Sequence, residues 1–272
     1  MMQLKDRVAV VTGAGGGIGR AIAMSLAKRG CHLALADINE AGLLESQRQA
    51  ALHGVRVTIH TMDVADREAV RTFPAWVMQE HGRCDLLVNN AGVAVSGYFE
   101  QVEEADFDWL MEINLHGLIR MTRAFLPLLC QSEEARLVNL SSLYGLVSPP
   151  GQVAYSTSKF AVRGFSNGLR HELAMTHPNV GVTVVHPGGV ATSISASARA
   201  SKGMSEEEFT RRKKATEKML RMPPEEAGEI IVRGIEAKQA RVIVGSDAKF
   251  VAWLERVMPV GYWGVLGRMI KR

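Results

Sequence analysis

Short apolar runs alternate with helix-period segments along most of this chain of 272 residues, and this alternation constrains the fold more than any other feature. The first run, residues 8–11, is uniformly apolar, as in a strand that is buried on both faces. The pattern predicts strands at 8–11, 33–36, 55–60, 86–88, 137–140, 182–185 and 242–244, and helices at 18–29, 40–53, 67–81, 104–130, 153–175 and 225–237. Such alternation indicates an α/β fold, a doubly wound parallel sheet with helices on both faces.

Neither an internal repeat nor a linker divides the sequence, so we predict a single domain over residues 1–272. Two stretches depart from the alternation. Residues 190–222 are rich in small, Met and charged residues and fall where a crossover should return to the sheet. Residues 246–272 form a C-terminal extension with two of the four tryptophans.

Composition excludes several classes of protein. The net charge is only +4, and the densest basic run, Arg211–Lys214, follows Glu206–Glu208 and indicates a solvated helix surface rather than a nucleic-acid site. The three cysteines, Cys31, Cys84 and Cys130, lack the spacing of a metal site or a disulfide framework, so we expect no metal and a reducing compartment. Without a visible signal peptide or a membrane-length apolar run, a cytoplasmic location is expected.

A glycine cluster, Thr12 to Gly19, lies between the first predicted strand and the first helix. Glycines at such a turn let the backbone approach a pyrophosphate, which also meets the positive end of the helix. The pattern G-x-G-x-x-G is not met in full, because Ile18 stands at its sixth position. A purely structural turn therefore remains an alternative.

Asp37 ends the second predicted strand. A carboxylate there accepts hydrogen bonds from the 2′-hydroxyl of an adenosine ribose and repels a 2′-phosphate. The next residue is Ile38, and no Arg or Lys interrupts the glycine cluster, so NAD is favoured over NADP. The alternative is a loop acid that caps the following helix.

Tyr155 and Lys159 share one face of a predicted helix, and Ser142 follows the strand that ends at Leu140, at the edge of the sheet where ligands gather. Oxidation of an alcohol needs a base for the hydroxyl proton, and a free tyrosine, with a pKa of about 10, is a poor one at neutral pH. A nearby ammonium favours the phenolate, so we expect Lys159 to lower the pKa of Tyr155. The Ser142 hydroxyl can orient the substrate oxygen. Taken alone, a Tyr-x-x-x-Lys pair also fits an ordinary helix surface.

In order along the chain, these motifs resemble the short-chain dehydrogenase/reductase family over about residues 5–192, and more loosely to about 245. Thr12, Gly13, Gly17 and Gly19 fit the family's glycine motif. The resemblance implies a Rossmann-type fold and a nicotinamide-dependent oxidoreductase. It also implies a catalytic tetrad of Asn114, Ser142, Tyr155 and Lys159, in which Lys159 also binds the nicotinamide ribose and Asn114 supports a proton relay. The remaining cofactor residues it implies are Gly13, Gly16, Gly17, Ile18, Gly19, Asp37, Asp63, Val64, Asn90, Ala91, Gly92, Pro187, Gly188, Val190 and Thr192.

Residues 193–222 fit the mobile substrate lid of the resembled family. Together with residues 93–99 and Leu143, Tyr144, Leu146 and Val147, they predict a mostly apolar wall without an Arg or Lys placed to hold a phosphate or carboxylate. We therefore expect a hydrophobic ketone or secondary alcohol as substrate. The alternative is that these side chains only pack the lid.

The C-terminal extension is amphipathic from Phe250 onward and ends in Lys271 and Arg272. Three arrangements are open: packing on its own domain, closing a neighbouring subunit's site, or lying on a membrane surface, although Pro259 and Gly261 break it into two short pieces and weigh against the last. The resemblance implies a homodimer or homotetramer, paired through the helices at 104–130 and 153–175.

Two further functions compete with a dehydrogenase. A non-catalytic nucleotide-binding or regulatory protein of the same fold would bind NADH without turnover, but the intact Ser142, Tyr155 and Lys159 argue against it. A dehydratase or epimerase of this fold has no distinctive residue here in its support.

Overall fold

Seven parallel strands form the centre of the computed structural model, which describes residues 1–192, 194 and 198–270. They are β1 (Val8–Thr12), β2 (His32–Asp37), β3 (Val57–Thr61), β4 (Leu86–Asn89), β6 (Ala135–Leu140), β7 (Val180–Pro187) and β9 (Arg241–Val244); β5 (Val95–Ser96) and β8 (Arg199–Ala200) pair apart from this sheet. The strand order is β3-β2-β1-β4-β6-β7-β9. Strands β2 and β3 extend the sheet on one side of β1, and β4 begins the extension on the other side. The crevice at such a switch between β1 and β4 is where α/β sheets bind ligands.

Ten α-helices accompany the strands in the described part of the chain: α1 (Gly17–Ala27), α2 (Glu40–Ala51), α3 (Arg67–His81), α4 (Glu104–Met111), α5 (Leu118–Gln131), α6 (Val153–Thr176), α7 (Glu206–Glu217), α8 (Pro224–Glu236), α9 (Ser246–Val257) and α10 (Tyr262–Ile270). The side chains of β1 alternate between two cores: Ala9 and Val11 pack with α1, α2 and α8, whereas Val10 packs with α3 and α5. The predicted doubly wound α/β fold is confirmed.

The helix predicted at 104–130 is interrupted. A π-helical segment, Glu112–Gly117, joins α4 to α5, and Asn114 lies within it. The side-chain amide of Asn114 bonds both backbone groups of Val93, accepting from its N–H at 2.8 Å and donating to its carbonyl at 3.0 Å. Apolar periodicity does not reveal this local widening, which is typical of functional sites.

The predicted lid begins with β8, which pairs with β5 across the crevice, and continues into α7. Ser193 and residues 195–197 lie outside the described residues. The helix α7 contains no fully buried side chain. The lid is therefore attached through a few contacts. Among them are the ion pairs Arg199–Asp106 and Lys202–Glu103, which join the segment before α7 to the start of α4.

The C-terminal extension is split as predicted, into α9 and α10 on either side of residues 258–261. It packs on its own domain: Val251 and Leu254 of α9 are buried, and the Tyr262 hydroxyl accepts a hydrogen bond from the Ser148 N–H at 3.1 Å. Lys271 and Arg272 lie outside the described residues. No helix in the described part of the chain has the length and apolar content needed to cross a membrane.

Candidate active site

The glycine turn connects β1 to α1 at the carboxyl edge of the sheet. Gly13 has a φ of 65° and Gly17 a φ of 53°, backbone conformations that favour glycine. A Cβ on Gly13 would lie 2.7 Å from the Asn90 side-chain nitrogen. The Thr12 hydroxyl accepts hydrogen bonds from the N–H groups of Asn90 and Ala91 at 3.0 and 3.1 Å, which fixes the end of β4 against this turn.

Gly16 provides the open face of the turn. A Cβ built on Gly16 would meet no atom within 4 Å, and the residue lines the cleft immediately before the first residue of α1. The free N–H groups and positive end of α1 therefore face a cavity that has room for phosphates. This glycine-lined cradle fits the pyrophosphate of a dinucleotide.

Of the glycines predicted to bind a cofactor, Gly19 has a different position. It does not line the cleft, and a Cβ there would overlap the Gly13 carbonyl and come within 2.5 Å of the Asn90 side-chain nitrogen. Gly19 thus lets α1 pack closely against the turn.

Asp37 lies at the far end of the same cleft. One carboxylate oxygen accepts a hydrogen bond from the Gly15 N–H at 2.8 Å, and the other accepts from the Asn39 N–H at 2.9 Å. The capping role considered above belongs to Asn39, whose side chain accepts from the Gly42 N–H at the start of α2. Asp37 therefore presents a fixed negative charge to the cleft.

Most of the other predicted cofactor residues line this cleft of about 460 Å³. They are Ile18, Asn90, Ala91, Gly92, Pro187, Gly188, Val190 and Thr192. Asp63 and Val64 are not brought to it: the Asp63 carboxylate accepts from the Ala65 N–H at 2.8 Å, and Val64 is buried against Gly117.

Ser142, Tyr155 and Lys159 meet on the opposite wall of the cleft. Ser142 follows β6, and its hydroxyl accepts a hydrogen bond from the Tyr144 N–H at 3.1 Å and is hydrogen-bonded to Tyr155. Lys159 is buried on α6 with its Nζ 5.5 Å from the centre of the Tyr155 ring, and it donates to the Leu140 carbonyl at 3.0 Å. The predicted grouping of these three side chains is thus what the fold produces.

Asn114, the fourth predicted catalytic residue, lies behind the cleft wall. A Cβ on Gly92 would lie 3.2 Å from the Asn114 side-chain oxygen and 3.5 Å from Lys159 Nζ, so both side chains lie next to the Gly92 backbone. The Asn114 amide also donates to the Ser158 hydroxyl at 3.2 Å. Its side-chain groups are thereby engaged with Val93 and Ser158.

Burial of Tyr155 opposes the electrostatic effect that we expect of Lys159. Burial raises the pKa of Tyr155 to about 12, and the hydrogen bond with Ser142 opposes that change only partly. Burial also lowers the pKa of Lys159 to about 8. Because both groups are removed from water, burial favours their neutral forms, the phenol of Tyr155 and the amine of Lys159.

The substrate end of the cleft differs from its predicted lining in one respect. Apolar side chains line it as expected, including Val95, Leu143, Phe209 and Leu220, but Arg212 and Lys213 of α7 line it too. The Arg212 guanidinium lies 4.1 Å from the centre of the Tyr98 ring and pairs with Glu208 at 2.7 Å. The lining thus includes an Arg and a Lys that the sequence did not place there, and the basic run is not simply a solvated surface.

Two residues that sequence reasoning missed support the site. Asp247 of α9 accepts a hydrogen bond from the Gly189 N–H at 2.8 Å and lines the cleft. His186 at the end of β7 is fully buried, and its Nδ1 donates to the Ser142 carbonyl at 2.9 Å. Nothing in their local sequence marks these roles, since each depends on a contact with a distant segment.

Comparison with known proteins agrees with this geometry. The family described as short chain dehydrogenase matches residues 7–203. The putative oxidoreductase SadH of Mycobacterium tuberculosis is 40% identical over 262 residues, covering 96% of this chain and 94% of that protein. Estradiol 17-beta-dehydrogenase 11 of Pongo abelii is 31% identical over 264 residues, covering 97% and 83% of the two chains.

A solved structure gives the same result for the fold. The short chain dehydrogenase/reductase of Burkholderia phymatum in complex with NAD superposes with a TM-score of 0.87 at 26% identity, covering 95% of each chain. These comparisons agree with the fold and with the position of the cleft. The chain belongs to the short-chain dehydrogenase/reductase family, a family of nicotinamide-dependent oxidoreductases.

Proposed function

We propose that this protein is an NAD-dependent oxidoreductase that interconverts a hydrophobic secondary alcohol and its ketone. The main support is that Ser142, Tyr155 and Lys159 line the same cleft as the glycine turn and Asp37. One end of the cleft is therefore suited to a dinucleotide and the other holds an acid–base group beside a hydroxyl donor.

In this proposal Tyr155 moves the proton and Ser142 orients the substrate oxygen. The bound nicotinamide would supply or accept the hydride. As a phenol, Tyr155 can donate its proton to a carbonyl oxygen, while the Ser142 hydroxyl stabilises the charge that develops there. The reverse oxidation needs the phenolate, so we expect it to be favoured as the pH rises.

Lys159 and Asn114 act behind these two groups. Lys159 is held by the Leu140 carbonyl beside Tyr155, where an ammonium stabilises the phenolate and can bind a ribose hydroxyl. In this proposal Asn114 supports a proton relay from the π-helical segment behind the cleft wall, where its side chain is fixed by Val93 and Ser158.

Asp37 supports NAD rather than NADP. Its carboxylate is fixed by Gly15 and Asn39 at the end of the cleft that lies beyond the glycine turn. A fixed carboxylate there would accept hydrogen bonds from a ribose hydroxyl and repel a 2′-phosphate.

The remaining parts of the proposal concern assembly and location. We propose a homodimer or homotetramer in which α6 takes part, supported by Val153 and Phe160, each 39% exposed on that helix. The buried, unpaired thiols of Cys31 and Cys84 support a reducing, cytoplasmic compartment. Static light scattering of the purified protein would test the assembly.

The test of the proposed activity begins with fluorescence titration of the protein by NADH and by NADPH. The preferred cofactor is then combined with a panel of hydrophobic ketones and secondary alcohols. We expect tight NADH binding and turnover that falls by about a thousandfold or more in Tyr155→Phe, while NADH affinity is retained.

Tyr144→Phe is the matched control. The Tyr144 ring packs edge-on against Tyr155, with 6.1 Å between ring centres, and also lines the cleft. Loss of its hydroxyl should leave most of the turnover intact. Equal losses in the two variants would contradict the role of Tyr155, and NADH binding without turnover of any panel member would favour a regulatory nucleotide-binding protein.

A further inference from the structure

A second and larger cavity adjoins the catalytic cleft. This outer groove, of about 1890 Å³, lies between the lid helix α7 and the C-terminal helices α9 and α10. Small-molecule sites usually occupy about 300–1,000 Å³, so the groove exceeds what a compact substrate requires. A volume of this size suits an extended ligand.

The groove and the catalytic cleft share part of their lining. Leu143, Tyr144 and Met219 border both cavities. Met219 is 46% exposed, and an unbranched methionine side chain adapts easily to a ligand that passes it. A long substrate with its reacting carbon beside Tyr155 can thus continue into the outer groove past these residues.

The wall formed by the body of the protein and the C-terminal helices is largely apolar. Its side chains include Val147, Pro149, Phe250, Trp263 and Leu266. Each contributes hydrocarbon or aromatic surface whose burial by a ligand is favourable, by about 25 cal/mol per Å². This wall is chemically suited to an alkyl chain.

The opposite wall, on α7, is cationic. Arg211, Lys214 and Lys218 are spaced by three and four residues, share the face of α7 toward the groove, and are all exposed. None of the three forms an ion pair within the described part of the chain. The acids that line the groove are Glu206 and Glu207 in the first turn of α7, Glu226 of α8 and Asp247 of α9, so positive charge prevails on α7 toward its C-terminal end.

We propose that the outer groove binds the alkyl chain and terminal carboxylate of a long-chain secondary alcohol or ketone. This inference rests on the proposed function, because it places the reacting carbon in the cleft beside Tyr155. The chain lies on the apolar wall, and the carboxylate meets Lys214 and Lys218. The protein is then selective for anionic amphiphiles such as hydroxy or oxo fatty acids.

The experiment compares two substrate series of matched chain length. Both carry a secondary hydroxyl next to the terminal methyl group, and one series has a carboxylate at the other end. With the intact protein and NAD, we expect KM to fall as the chain lengthens. Beyond the length that reaches α7, the carboxylated series should have the lower KM, by about tenfold, and high salt should remove this advantage.

The variant Lys214→Gln/Lys218→Gln tests the cationic wall, and Lys249→Gln is its control. Lys249 is an exposed lysine of α9 outside the lining of both cavities. The double variant should raise KM for long carboxylated substrates by about tenfold without changing kcat or the kinetics of neutral substrates. The control should match the unmodified protein.

Two results overturn the inference while the proposed function stands: equal KM values for the neutral and carboxylated series at every length, or the same loss in Lys249→Gln as in the double variant. Absence of turnover with every alcohol and ketone, in either series, removes the proposed function itself and the inference with it.

Discussion

The carboxylate of Asp247 accepts a hydrogen bond from the backbone N–H of Gly189 at 2.8 Å and thereby ties the C-terminal extension to the turn that follows β7. Residues 188–190 and Thr192 of that turn line the cleft. The first turn of α9 is thus part of the site rather than an appendage. A negative charge in the first turn of a helix is also favourable for the helix itself.

Replacing Asp247 by Ala should loosen this turn. The Gly189 N–H loses its partner, so we expect the free energy of unfolding to fall by about 1–2 kcal/mol and NADH affinity to fall several-fold. Asp247→Asn keeps an acceptor oxygen in place and should retain most of both. Urea denaturation and fluorescence titration measure the two effects, and an Ala variant with unchanged NADH affinity would show that the turn is held by other contacts.

The sequence predicted the centre of the sheet well because inner strands such as β1 and β4 are buried along their whole length and therefore read as apolar runs. It also located Ser142, Tyr155 and Lys159, since the ends of parallel strands meet at one edge. It did not reveal Asp247 or His186, whose partners are far away in the chain. Nor did it reveal that burial, which has no local sequence signal, raises the pKa of Tyr155.

The role of Arg212 in the lid also depends on a contact with a distant segment. Arg212 belongs to a basic run that any sequence pattern assigns to a solvated helix, yet its guanidinium packs over the Tyr98 ring at 4.1 Å. Such stacking depends on the pairing of β5 with β8, which brings the lid to the segment that contains Tyr98. Two-residue strands of this kind carry too little pattern to be predicted.

Gly16→Ala and Gly19→Ala form a matched pair that tests the phosphate cradle. The Gly16 variant has open space for its Cβ and an extended φ of −176°, so its stability should be unchanged while NADH affinity falls by about tenfold or more. In the Gly19 variant the new Cβ overlaps the Gly13 carbonyl. Its free energy of unfolding should therefore fall by several kcal/mol, as in overpacked cores. If Gly16→Ala binds NADH normally, the pyrophosphate lies elsewhere.

Exchange of charge at the end of β2 should reverse the cofactor preference. We expect the unmodified protein to bind NADH at least about a hundredfold more tightly than NADPH, because Asp37 repels a 2′-phosphate. The variant Asp37→Ser/Ile38→Arg removes that carboxylate and places a guanidinium on the neighbouring side chain, which is 70% exposed. The ratio of the two dissociation constants measures the change, and Ile38→Arg alone is the control. A preference for NADPH in the unmodified protein would contradict the role given to Asp37.

Protonation of His186 should destabilise the protein in mild acid. Burial lowers the pKa of His186 to about 4, the hydrogen bond to the Ser142 carbonyl opposes this, and the charges of Arg163 and Arg241 add to the lowering. Its Nε2 is buried without a hydrogen-bond partner in the described part of the chain, so a proton there has nothing to bind. Between pH 6.5 and 4 the unfolded chain therefore binds more protons than the folded one, and stability falls as the pH falls.

The size of this effect follows from the pKa shift. A histidine whose pKa falls from 6.5 to about 4 on folding lowers the free energy of unfolding by about 3 kcal/mol at pH 4 relative to pH 7. His81, whose pKa burial also lowers to about 4, adds to the loss in the same range. In His186→Asn the amide can still donate to the Ser142 carbonyl but does not titrate, so the slope of stability against pH should fall by about half. Urea denaturation at intervals from pH 7 to 4.5 measures it, with His81→Asn as the matched comparison. An unchanged slope in His186→Asn would mean that the pKa of His186 is the same in the folded and unfolded chains.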